Sequence, residues 1–509
     1  MNFIANGLLA SLTLSLLVLP GCMVGPNYRP PPPPVSAAWI DYENSPQASR
    51  EEDQAAHLQR WWTVFDDPVL NSLISDAYGQ NLSLRVAGER VSEARFLRGI
   101  AVGNLFPQTQ ELAGGYTWNK TSDRSPASTG EQWFSDSQVG FNLTWELDFW
   151  GRFRRSIESA DATLEASIAN YDDVLVVLLS DVAANYIQYR TFQERLFYAR
   201  ENLRIQEAAY QLSSDKFRMG AVTERDAQQS KQILEQTRSR IPDLEAGLRR
   251  SNNALCVLLG VPPQQLAQRL GESGLIPQGD PQLALGIPAD LLRRRPDVRR
   301  AEREAAAQSA AIGVAVADLY PRFSLTGSIG LRADEMGGLG HTPGSLSGFG
   351  GPVFQWDLLN YGRLEYAVKA QEARYRQAAY RYQDAVLRAN REAEDAIITF
   401  YKTQERTRFL SESVTAALRT VQITNDQYNQ GVIDFTPVFL FEATLTSQQD
   451  DLAVARGDVA LSLVDLFRSL GGGWDAQQIP DGYAAPIPPA PTTQRAATSM
   501  PATRPNRKP

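Results

Sequence analysis

The sequence predicts an α+β membrane protein made of two structural repeats, in which paired strands alternate with rod-length helices. Three observations predict it: two long runs without helix breakers, a self-similarity at constant offset, and strand-like alternation just before each run. The chain has 36 glycines and 30 prolines in 509 residues, yet Arg152 to Met219 and Arg363 to Gln430 contain neither, for 68 positions each. Runs so free of breakers read as single helices, each roughly 100 Å long at 1.5 Å per residue. Gly220 and Gly431 close them.

The halves repeat each other. At an offset of 214, Ala87, Gly99, Ala101, Leu105 and Pro107 match Ala301, Gly313, Ala315, Leu319 and Pro321. At an offset of 211, Trp145, Leu147, Gly151, Arg152, Gly220, Leu259 and Gly260 match Trp356, Leu358, Gly362, Arg363, Gly431, Leu470 and Gly471. The three-residue adjustment falls between Pro107 and Trp145. The first repeat is expected over 67–260, with a hairpin at 108–147, the long helix at 152–219 and a further helix at 222–259. A linker at 261–295 leads to the second repeat, 296–471, with a hairpin at 322–358 and helices at 363–430 and 434–470.

Val139, Phe141, Leu143, Trp145 and Leu147 alternate with polar residues or glycine, the mark of a strand with one apolar face. Phe323, Leu325, Ile329 and Leu331 repeat the pattern. Weaker partners are Leu112, Tyr116 and Trp118, and Phe354, Trp356 and Leu358. Long polar loops, Asn119 to Ser135 and Arg332 to Ser345, join each pair. Four such strands in lipid leave two unpaired sheet edges, and a bare backbone group in hydrocarbon costs several kcal/mol. A barrel shared by two chains would be filled by its own side chains, whereas one of twelve strands, from three chains, leaves a lumen.

Along the first rod, Phe153, Ile157, Ala160, Leu164, Ile168, Tyr171, Leu175, Leu178, Val182, Tyr186 and Tyr189 recur at steps of three and four. Arg154, Arg155, Glu158, Asp161, Glu165, Asp172, Asp173 and Asp181 flank this seam, as expected of rods packed side by side in water. A coiled-coil stalk would explain the rods but not the strands between them.

A net charge of −8 argues against nucleic acid as the partner. Arg293, Arg294, Arg295, Arg299 and Arg300 form a basic cluster that reads as a solvated surface or an anionic contact. Cys256 lies in an apolar stretch as an inert buried thiol. His57 and His341 are far apart in sequence, and no constellation suggests a catalytic site, a metal or a cofactor, so no enzyme is expected.

Residues 1–21 resemble a signal peptide: Leu8 to Leu19 is apolar but too short to span a bilayer. Leu19-Pro20-Gly21-Cys22 resembles a bacterial lipobox, which implies that Cys22 is lipidated and opens an anchored extension, 22–66. Met23 at the next position points to the outer membrane. Pro26 to Pro34 reads as extended, and within the C-terminal segment 472–509 the tail from Pro486 reads as disordered.

Several segments together resemble the TolC-like outer membrane efflux proteins, in the NodT/OprM-like lipoprotein branch. They are Cys22-Met-Val-Gly-Pro-Asn-Tyr28, Trp61-Trp62 through Asp67-Pro68 to Leu73-Ile74, Ile287-Pro-Ala-Asp-Leu-Leu-Arg-Arg-Arg-Pro-Asp-Val-Arg-Arg-Ala-Glu302, Gly220-Ala-Val and Tyr428-Asn-Gln-Gly-Val432. The resemblance implies a homotrimer: a twelve-stranded β-barrel in outer membrane lipid, continued by a periplasmic α-helical barrel. It implies the exit duct of a tripartite pump, passing drugs or other toxic compounds from a periplasmic adaptor and an inner-membrane transporter of the resistance-nodulation-division type. A type I secretion duct and a lipid-anchored structural or adhesive coiled-coil protein are the alternatives. By the same resemblance the periplasmic gate and adaptor tip comprises Gly220, Asp226, Tyr428, Gly431 and Asp434. Asp226 and Tyr428 match a hydrogen-bonded latch, although Asp226 also stands where an aspartate favours a helix N-terminus. Pro437 and Leu440 replace the usual acidic ring and Ile433 a latch arginine, leaving Asp434 and Glu442 as the nearby carboxylates.

Overall fold

A computed structural model of the chain describes residues 22–32, 58–120, 122, 133–271, 274–279, 294–340 and 344–474. The signal-peptide stretch, His57, His341, 287–293 of the arginine-proline-aspartate segment and the tail from Pro486 lie outside them. The order is α1 (Pro68–Gln80), α2 (Leu82–Gly103), β1 (Thr109–Lys120), β2 (Trp133–Leu147), α3 (Arg152–Arg218) and α4 (Glu224–Leu258). After a single helical turn, Ala267–Leu270, come α5 (Pro296–Ala317), β3 (Arg322–Ala333), β4 (Leu346–Gln355), α6 (Arg363–Asn429) and α7 (Phe435–Ser469). The two rods are 67 residues each. Among the described residues no helix is long and apolar enough to cross a membrane.

The strands form one antiparallel sheet in the order β1-β2-β3-β4, so among the described residues the outer edges of β1 and β4 carry no further strand. The register sets Leu112 opposite Phe141, Val139 opposite Leu331 and Phe323 opposite Phe354. One face is therefore apolar. Leu112, Trp118 and Phe354 on it are 78%, 68% and 70% exposed, as lipid contact requires. The other face carries Glu111, Gln138, Asn142, Thr144, Thr326 and Ser328, with Arg332 donating twice to Asp136 at 2.8 Å, and on β4 the apolar Phe349 and Val353. At the loop end of the sheet Trp118 stacks on Trp133, and at the helix end Trp150 stacks on Tyr320, each at 4.5 Å, so aromatic rings mark both ends.

The strands reach further into the loops than the alternation suggests. Asn119 is in β1, Ser135 in β2 and Arg332 in β3. At the other end, Trp356 and Leu358 fall beyond β4, where the chain turns towards its rod and the Trp356 indole N–H donates to the Leu319 carbonyl at 3.0 Å. Gly151 and Gly362, at φ +79° and +81°, make the strand-to-helix turns that a side chain would strain. Asp148 caps α3, its carboxylate accepting from the Phe153 and Arg154 amides at 2.8 and 3.0 Å.

The main core is an equatorial belt halfway along the rods. Trp61, fully buried and stacked on Phe467 at 5.5 Å, joins Leu70 and Leu73 of α1, Tyr186 and Ile187 of α3, Phe400 of α6 and Leu466 of α7. The apolar seam of α3 is buried here from Tyr171 to Tyr189. Nearer the strands, Ile157, Ala160, Leu164 and Ile168 are only partly buried, and Ala162, Ala166 and Ala169 occupy the contact instead, as close helix approach requires.

Three arginines of the basic cluster, Arg295, Arg299 and Arg300, make anionic contacts; Arg294 is exposed and Arg293 lies outside the described residues. Arg295 donates to both Asp297 oxygens (3.0 and 2.8 Å), to Glu392 of α6 (2.7 Å) and to the Ser469 carbonyl of α7 (2.7 Å). Pro296 opens α5 at a position where its missing N–H costs nothing. Arg299, Arg300 and Arg303 then pair with Asp172, Asp173 and Glu165, lacing α5 to α3. Burial pushes the Asp172 carboxyl up to about 7 despite the Arg299 guanidinium at 3.7 Å.

Two stability predictions follow from these pairs. Arg295→Ala removes the ion pairs to Asp297 and Glu392, which stay 27% and 45% exposed, and the donor to the Ser469 carbonyl, and should cost about 1–3 kcal/mol; a urea midpoint within error of wild type would contradict it. The raised Asp172 value means that its contribution is fully present below its ordinary value near 4 and is lost as pH rises through about 7. Asp172→Asn should therefore flatten the dependence of the thermal midpoint on pH between 4 and 8, with its largest gain over wild type at pH 8.

Candidate functional site: the helix-hairpin tips

Both hairpins end in the same glycine turn. Gly220 and Gly431 have φ of +72° and +74°, and the following amides bond back to the last turn, Ala221 N–H to the Lys216 carbonyl (2.8 Å) and Val432 N–H to the Gln427 carbonyl (3.0 Å). This is the left-handed helix ending that glycine favours. It places Asp226 in the first turn of α4, Asp434 just before α7 and Tyr428 in the last turn of α6.

The structure brings Asp226 and Tyr428 together without the expected hydrogen bond. Asp226 is buried and accepts through Oδ2 from the Thr223 amide (3.1 Å) and hydroxyl (2.9 Å), thereby capping α4. Its Oδ1 and the Tyr428 hydroxyl are buried and have no hydrogen-bond partner among the described residues. Burial, and then the negative Asp226, hold the Tyr428 phenol above its ordinary pKa. Asp434 caps α7 through the Thr436 amide at 3.2 Å.

Two cations complete the tip. Arg225 reaches Asp226 Oδ1 at 3.6 Å and crosses to Asp434 on the other hairpin at 3.3 Å. Lys216 Nζ lies 4.2 Å above the Tyr428 ring. Neither was singled out by sequence, because Arg225 is one of three successive charges at a helix start and its partner on the other hairpin lies 209 positions away. The local signal was Ile433, standing where the resemblance leads one to expect an arginine; the cation at the tip, Arg225, comes from the other hairpin. Beneath these charges Tyr428, Phe435 and Val438 form a small apolar cluster, with the Tyr428 and Phe435 rings edge to face at 5.4 Å. Deeper, Glu442 is buried and desolvation raises its pKa.

Cys22, the other predicted site, is exposed beside the strand-to-helix turn of the first repeat. The next residues hold it there. Met23 lies against Gly151, and the Val24 amide donates to the Trp150 carbonyl at 3.0 Å.

Residues 73–261 and 287–472 match the model of the outer membrane efflux protein family. The chain is 30% identical over 469 residues to nodulation protein T of Rhizobium leguminosarum bv. trifolii, covering 90% of this chain and 96% of that protein. It is 30% identical over 457 residues to the pyoverdine export outer membrane protein OpmQ of Pseudomonas putida, covering 88% of this chain and 94% of that protein. The outer-membrane channel OprN superposes with a TM-score of 0.82 at 33% identity, over 89% of this chain and all of that one. With its amphipathic sheet, paired rods and glycine-turned tips, the chain belongs to the outer membrane efflux protein family.

Proposed function

We propose that three copies of this chain form the passive outer-membrane exit duct of a tripartite pump for drugs or other toxic small molecules. The carrying observation is the continuity of an open-edged sheet, apolar on one face and polar over β1 to β3 on the other, with rods roughly 100 Å long. Three four-stranded sheets close one barrel of twelve strands, and its polar face lines water. The rods continue that lumen through the periplasm. A periplasmic adaptor and a transporter of the resistance-nodulation-division type supply the cargo and the driving force, and the chain performs no catalysis. Cys22 carries the lipid that anchors each copy to the outer membrane.

The tips are the gate and the adaptor contact. Arg225 and Asp434 are 61% and 55% exposed, so their ion pair contributes at most about 1 kcal/mol and weakens with salt. The apolar contact of Tyr428 with Phe435 lies within the second hairpin and stiffens that tip without joining it to the first. A gate so held opens under a modest pull from a partner. Arg225→Ala should raise closed-state conductance in planar bilayers by no more than about fivefold, and 1 M salt should mimic it in wild type. Asp226→Ala combined with Tyr428→Phe should raise it as well. If all these variants conduct like wild type, the tip residues do not form the gate.

A further inference from the structure

Arg155 flanks the apolar seam in sequence, yet its side chain is 1% exposed. A guanidinium so buried is tolerated only when its donors are satisfied. Three of its four contacts come from the segment after Cys22. Nε donates to the Val24 carbonyl (3.0 Å), and Nη2 donates to the Gly25 carbonyl (3.2 Å) and to Asn27 Oδ1 (2.8 Å). Only Nη1 turns to its own helix, pairing with Glu158 at 2.6 Å.

Glycines carve the notch that receives this strap. A Cβ on Gly151 would stand 2.7 Å from the Met23 side chain, one on Gly25 2.4 Å from the Gly313 Cα, and one on Gly313 2.7 Å from the Arg155 side chain. Gly25 has φ +88°, a conformation that other residues rarely adopt. The Tyr28 hydroxyl closes the strap by donating to the Glu302 carbonyl at 3.3 Å.

The counterpart positions in the other repeat serve as internal controls. At the offset of 211 the counterpart of Arg155 is Tyr366, which is 68% exposed. At the offset of 214 the counterpart of Gly313 is Gly99, where a Cβ would meet nothing within 4 Å. The shared turns, Gly151 and Gly362, belong to both repeats; the buried arginine of the first repeat and the crowded glycine of the second meet only at the junction of α3 with α5 that receives the strap.

We propose that Arg155 is a positioning residue for the lipid anchor, gripping the main chain of Val24 and Gly25 so that Cys22 is held at the boundary between barrel and rods. The grip is made by the protein and not by the acyl chain. This rests on the reading of Cys22 as the lipidated residue.

The test measures hydrogen exchange at the Val24 amide in the detergent-extracted full assembly, with palmitate labelling of Cys22 in parallel. Arg155→Gln and Gly25→Ala should each speed Val24 exchange on the order of tenfold or more, with the amides of Leu178 to Tyr186 unchanged and the label retained. Gly25→Ala keeps the arginine, so it reports even where Arg155→Gln misfolds. Asn27→Asp, which preserves the acceptor, should keep wild-type protection. Cys22→Ala, exported behind a leader without an acylation signal, should also keep it. Wild-type protection in both Arg155→Gln and Gly25→Ala overturns the proposal, and so does loss of protection in Cys22→Ala equal to that in Gly25→Ala. An unlabelled wild type with the expected exchange pattern refutes the lipid at Cys22 and leaves the grip standing.

Discussion

The intolerance of hydrocarbon for an unpaired backbone group governs this molecule. A four-stranded sheet with a lipid-exposed apolar face has two open edges, and no element among the described residues of the same chain covers them. Closure therefore has to come from other copies, and the number of copies sets the bore. Everything below the sheet inherits that symmetry, because each hairpin hands its chain directly to a rod through a left-handed glycine, Gly151 or Gly362. Strand and rod are one continuous stave, so the width of the barrel and the width of the helical tunnel are not independent.

Long rods bring a second difficulty, since their narrow seams bury little apolar surface per turn. The chain answers by concentrating its large side chains in the equatorial belt around Trp61, Tyr186 and Phe467, and by lacing α5 to α3 with arginine–carboxylate pairs. Arg295 is the knot, holding the start of α5 to α6 and to the end of α7 at once. The tips are different in kind. Their charge pairs are exposed and their apolar cluster is small, so the hairpins grow easier to separate with distance from the belt.

Much of this was legible in the sequence because it follows from local rules. The rods show as absence of glycine and proline, the repeats as constant offset, the strands as alternation, and the turns as single glycines. What was hidden depends on contacts across the fold. Arg155 reads as one more flanking charge until the chain folds the strap onto it. Arg225 and Lys216 have no local motif and acquire meaning only when the second hairpin stands beside the first. Asp226 carries two signals in one residue, a latch and a helix cap, and the structure satisfies the cap while leaving one carboxylate oxygen beside an unbonded Tyr428 hydroxyl. The strand ends misled for a simpler reason: Trp356 and Leu358 continue the alternation although the backbone has already begun to turn.

The pair between Arg225 and Asp434 joins the two hairpins of a single chain. In the proposed gate each copy then presents its tips as one loosely joined wedge, an iris with three blades instead of six independent fingers. Such an iris has few intermediate apertures: pushing one wedge aside removes a third of the constriction at a stroke. Dilation would then be read by a passing molecule as steps, and the smallest step would already be as wide as a pair of helices.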